Sequence, residues 1–94
     1  MNSSNKGMLK FQLKERTALI TGSTRGIGWS IARGMAEAGA TVYINGRDKK
    51  ILDTRCESII DLGYNAKPAL FDATDVEAID KFLESTATPI DILV

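Results

Sequence analysis

The 94-residue chain has no histidine, one cysteine and two prolines, and its 12 basic side chains equal its 12 acidic ones in number. Without imidazole, the commonest general acid/base and the commonest metal ligand are absent. One thiol cannot close a disulfide within the chain. Cys56 falls on the apolar side of a helical pattern with Leu52, Ile59 and Ile60, where a small buried hydrophobe is expected rather than a reactive group. Zero net charge gives no overall field to draw nucleic acid or an anionic membrane. No apolar run approaches the roughly 20 residues that cross a bilayer. Met1 to Gly7 is polar and lacks the apolar core of a signal peptide, so residues 1–12 are expected to be a disordered tail and the protein cytoplasmic.

What is present is concentrated between Thr21 and Gly28, where Thr-Gly-Ser-Thr-Arg-Gly-Ile-Gly follows the apolar run Thr17 to Ile20 and precedes an amphipathic stretch. A residue without a Cβ at Gly22 lets the chain turn at once on leaving a strand. Gly26 lets the main chain approach a diphosphate, and Gly28 lets the following helix pack close to the strand. The spacing predicts a phosphate-binding turn, with the diphosphate over the N–H groups of a helix N-terminus.

The surroundings read as alternating strands and helices. Ile27, Ile31 and Met35, with Ala32 and Ala36 beside them, recur at helical spacing, and Gly39 closes that helix. Thr41 to Ile44 is a strand ending in an Asn45-Gly46-Arg47 turn. Asp48 caps a helix running to about Leu62 and closed by Gly63, and Ala66 to Phe71 is a third strand whose Pro68 suits an edge. Thr74 to Glu77 reads as a capping box, with Val76, Ile79, Phe82 and Leu83 as the buried stripe behind it, and Ile90 to Val94 is a fourth strand with Asp91 at its mouth. The edge placement of Pro68 fits a doubly wound parallel α/β sheet of four strands in order 3-2-1-4, in which right-handed crossovers put the first two helices on one face and the third on the other.

The residue closing the second strand, about 20 positions after the glycines, faces the adenosine ribose of a dinucleotide in such units. An acidic residue there suits NAD. This chain has Gly46, then Arg47, with Arg25 inside the turn. Two guanidinium groups suit an extra phosphate, which favours NADP over NAD, although Arg47 and Arg25 also suit solvated turn positions.

These residues, Thr21-Gly22-x-x-x-Gly26-x-Gly28, the Asn45-Gly46-Arg47 turn, Asp72 and the closing Asp91-Ile92-Leu93-Val94, resemble the short-chain dehydrogenases/reductases from about Leu13 onward. Within that family, Ile20 to Asp48 is most similar to gluconate 5-dehydrogenase and 3-oxoacyl-acyl-carrier-protein reductase sequences. The resemblance implies a partial Rossmann domain over residues 13–94 that binds a dinucleotide through Gly22, Ser23, Thr24, Arg25, Gly26, Ile27 and Gly28. It also implies that Asn45 and Arg47 lie near the adenosine phosphate and that Asp72 bonds the adenine amino group.

The family's catalytic Ser and Tyr-x-x-x-Lys are not found in these residues. Tyr43 and Tyr64 are the two tyrosines, and four positions beyond them stand Arg47 and Pro68. No catalytic residue and no metal ligand is therefore assigned. Two readings stay open: the cofactor-binding portion of an oxidoreductase that moves hydride between nicotinamide and a ketone or secondary alcohol, ending before its catalytic half, or a non-catalytic nucleotide-binding or interaction module. The strand at 90–94 is expected to act as an open edge through which the protein self-associates.

Overall fold

The computed structural model describes residues 13–86 and 88–94; the expected tail over 1–12 lies outside them. In chain order the elements are β1 (Thr17–Ile20), α1 (Gly26–Glu37), β2 (Thr41–Gly46), α2 (Lys49–Asp61), β3 (Asn65–Leu70), α3 (Val76–Ser85) and β4 (Ile92–Leu93). The strands form one parallel sheet in the order β3-β2-β1-β4. Its register sets Ile20 beside Ile44 and Gly46 beside Leu70. The C-terminal ends of β1, β2 and β3 therefore share one rim, where the glycine turn emerges.

Because side chains alternate along a strand, the sheet has two distinct faces. Ala18, Ile20, Val42, Ile44 and Ala66 meet Ala32 and Ala36 of α1 and Leu52, Cys56 and Ile59 of α2. Leu19, Tyr43 and Ala69 point the other way, toward Phe82 and Leu83 of α3 with Phe71 and Ile90. The first two helices thus share a face and the third covers the opposite one, as right-handed crossovers require. Ile20, Ile44, Leu52 and Ile59 are almost wholly shielded from solvent, and each such burial contributes about 2 kcal/mol.

Several local expectations are corrected. Of the expected α1 face, Ala32 and Ala36 are buried and Met35 packs against the core, but Ile27 is 80% exposed and Ile31 36%. Small residues face the sheet because they let the helix approach it closely, with Met35 and Trp29 filling the flanks. Asn45 and Gly46 belong to β2, where they pair with Ala69 and Leu70, rather than to a turn. The capping box over 74–77 is replaced by Asp75 as N-cap, whose Oδ1 accepts from Glu77 N–H at 3.1 Å and Ala78 N–H at 3.4 Å. Thr74 bonds Asp72 instead. Val76 is 72% exposed and α3 has no buried residue, since the sheet face beneath it offers only a small apolar patch. Regular β4 covers just Ile92 and Leu93, although Asp91 N–H to Thr17 O and Val94 N–H to Leu19 O extend its bonding to β1.

Candidate functional site: the glycine turn and its basic rim

The turn leaves β1 at Thr21 and enters α1 at Gly26. Gly22 and Gly26 have φ of 56° and 64°, left-handed backbone that a side chain disfavours. A Cβ on Gly26 would meet nothing within 4 Å, so this backbone fronts open space. A Cβ on Gly28 would lie 2.6 Å from the carbonyl oxygen of Gly22, so a bare α-carbon there is what lets α1 close onto the turn. Arg25, in extended backbone, precedes the helix, and no side chain caps it. The positive end of the α1 dipole is thereby left for an anion.

Two polar residues hold the turn from inside. Ser23 is fully buried; its hydroxyl donates to Ile20 O at 2.6 Å and accepts from Asn45 N–H at 2.8 Å. Asn45 is 1% exposed; its Oδ1 accepts from Gly22 N–H at 2.9 Å, and its Nδ2 donates to Ala69 O and Phe71 O, each at 3.0 Å. With these bonds made, the Ser23 and Asn45 side chains serve as the frame of the site and do not line its open side. Thr24 packs beside β2, where a Cβ on Gly46 would come within 2.7 Å of Thr24 Cγ2.

The open side is basic. Arg25 and Arg47 border a basin of about 750 Å³ together with Asp48, Lys49, Lys50 and Ile51. Part of that charge is committed: Lys49 Nζ donates to Asp53 at 2.6 Å, a bond that raises its pKa, and the Asp48 carboxylate caps α2 by accepting from Lys50 and Ile51 N–H. Arg47 Nη1 stands 3.8 Å from Asp72 Oδ2. Asp72 is held below the usual carboxylate range chiefly by accepting from the Thr74 hydroxyl and N–H, with Arg47 adding to the effect. Arg47 and Asp72 therefore face each other across the ends of β2 and β3, while Ile27 is exposed on the first turn of α1.

A contact that no sequence spacing announced comes from α2, where Arg55 Nε–H donates to Thr24 O at 2.7 Å. Its guanidinium lies 4.8 Å from the centroid of the Trp29 ring, and that of Arg33 lies at 5.8 Å. Cys56, next to Arg55, is buried away from the basin, and burial pushes its thiol up to about 11. No group of three or more metal-binding side chains occurs among the described residues, and no helix among them is long and apolar enough to cross a membrane.

A model of the short chain dehydrogenase family matches residues 16–94, which span the turn, its frame and the whole sheet. The chain belongs to the short-chain dehydrogenase family. Gluconate 5-dehydrogenase of Gluconobacter oxydans is 40% identical over 87 residues, a match that covers 89% of this chain and 34% of that protein. Among solved structures, a 3-oxoacyl-[acyl-carrier protein] reductase from Brucella melitensis with bound NAD superposes with a TM-score of 0.84 at 34% identity, covering 94% of this chain and 34% of the other. A gluconate 5-dehydrogenase from Burkholderia cenocepacia in complex with NADP and tartrate gives 0.78 at 43% identity, covering 93% and 35%. The chain spans about a third of the length of the family members it matches. The α/β fold with strand order 3-2-1-4, expected of a Rossmann sheet, agrees with these structures.

Proposed function

We propose that this chain is the NADP-binding portion of a short-chain dehydrogenase-type oxidoreductase. The observation that carries the reading is the pairing of Arg25 and Arg47 on one basin at the end of β2, where Gly46 stands in place of a carboxylate. A 2′-phosphate gains two guanidinium partners there, and no acid at position 46 opposes it. The diphosphate is placed over the backbone of Gly22, Thr24, Arg25, Gly26, Ile27 and Gly28, and the adenine amino group at Asp72. Ser23 and Asn45 act by holding the turn. Bound nicotinamide supplies hydride exchange with a ketone or secondary alcohol, with a sugar acid or a 3-oxoacyl group as the substrate classes suggested by the relatives. Proton transfer is assigned to residues outside these 94, because neither tyrosine here is followed by a lysine four positions on.

The protein is further proposed to be cytoplasmic and to self-associate along β4, where Leu93 and Val94 are 57% and 46% exposed. Titration calorimetry of the 94-residue protein with NADPH and NADH tests the cofactor assignment. NADPH is expected to bind more tightly by about tenfold, the worth of one added charge-assisted contact, and Arg47→Ala is expected to remove that preference. Equal affinities in the wild type reject NADP.

A further inference from the structure

We propose that Arg55 is a positioning residue for the phosphate turn, holding the Thr24 carbonyl from α2 and strengthening the Arg25 N–H, on the same peptide, as a donor to a bound diphosphate. The inference rests on the dinucleotide reading above. The bond from Arg55 Nε–H to Thr24 O is 2.7 Å long and joins residues 31 apart, the short distance typical of a charged donor. Stacking over Trp29 at 4.8 Å orients the guanidinium plane and limits how far the side chain can wander. No cis peptide bond occurs among the described residues, and in a planar trans peptide C=O and N–H point to opposite sides. With Thr24 O turned to α2, Arg25 N–H points away from that helix, and among the described residues it has no acceptor. A cation bonded to a carbonyl polarises its peptide, so the N–H at the other end carries more positive charge. Arg25 immediately precedes the first turn of α1, and its N–H thus joins the free donors of that helix end.

The test uses Arg55→Met, which keeps an aliphatic stem against Trp29 but removes the donor and the charge, and Arg55→Lys, which restores both. Two readouts are taken on the 94-residue protein: the amide ¹⁵N shift of Arg25 without ligand, and calorimetric affinities for NADPH and NADH. Arg55→Met is expected to move the Arg25 resonance and to weaken both nucleotides alike by about tenfold, since both carry the same diphosphate. Arg55→Lys should recover most of each effect, which loss of mere packing would not predict. Should Arg55→Met fail to fold, Trp29→Leu removes the stacking platform instead, and both nucleotides should weaken by about threefold. The proposal is overturned by an unmoved Arg25 resonance, by unchanged affinities, or by a loss confined to NADPH. Wild-type protein that binds neither nucleotide overturns the dinucleotide reading and this inference with it, whereas wild type that binds alongside an equally competent Arg55→Met variant overturns this inference alone.

Discussion

Gly46 and Thr24 occupy adjoining space so closely that a Cβ on Gly46 would stand 2.7 Å from Thr24 Cγ2. The obstructing atom is the end of a side chain, which can rotate, whereas the Thr24 carbonyl is held by Arg55. Gly46→Asp is therefore expected to fold, at a cost of about 1 kcal/mol for the displaced methyl. Its carboxylate would repel a 2′-phosphate and accept from a 2′-hydroxyl. The NADPH-to-NADH affinity ratio should fall by at least about tenfold, measured by calorimetry; an unchanged ratio would contradict the placement of the ribose beside β2.

Two glycines of α1 should respond to alanine in opposite directions. At Gly28 the new methyl meets a backbone carbonyl at 2.6 Å, which only a shift of the helix or turn can relieve, so Gly28→Ala should lose about 1–3 kcal/mol and most nucleotide affinity. Gly34 lies mid-helix, where a Cβ would meet nothing within 4 Å, and Gly34→Ala should gain about 0.5–1 kcal/mol by raising helix propensity. Urea denaturation of the two variants checks both signs.

Asn45→Ala removes an amide that bonds Gly22 N–H, Ala69 O and Phe71 O. Buried backbone groups left without partners are costly, and a loss of about 2–4 kcal/mol is expected. For a domain of this size that lowers the melting temperature by at least about 8 °C. A melt within two degrees of wild type, roughly the effect of a neutral surface change, would show that water replaces the amide.

Cys56 should be shielded from alkylation in the native protein. Burial raises its pKa from the ordinary 9.0 to about 11, with Asp53 and Glu57 adding to the effect. The unfolded thiol ionises near 9.0 and the folded one near 11, so unfolding releases a proton between those values. The stabilisation from the neutral thiol is complete below pH 9 and is lost as pH rises toward 11. Iodoacetamide at pH 8 should label native protein about 10²-fold more slowly than protein in urea, and Cys56→Ala should flatten the fall in stability over that pH window.

The β4 edge should support association. Leu93 is 57% exposed beside β1, and among the described residues no strand pairs with the other side of β4. Sedimentation velocity at micromolar concentration is expected to show species larger than the monomer, and Leu93→Lys should shift the distribution toward monomer. A concentration-independent monomer for the wild type would reject the edge as an interface.

The spacing of Gly22, Gly26 and Gly28, the strand-length runs and the Asp48 cap were legible in the sequence because each depends on residues within one turn of chain. The strand order was signalled by Pro68, which suits β3 to an edge, and once that order is set the sharing of faces by the helices follows from the handedness of crossovers. The inner frame of the site was not legible. Ser23 and Asn45 join residues 22 apart, Asn45 reaches another 24 along to Ala69, and Arg55 finds Thr24 across 31 positions. Likewise Ile27 and Ala32 both fit a helical stripe, and only the distance at which α1 settles on the sheet decided that the alanine is buried. Local periodicity specifies which elements form, whereas the spending of a buried polar group or a small side chain depends on what the folded chain brings opposite it.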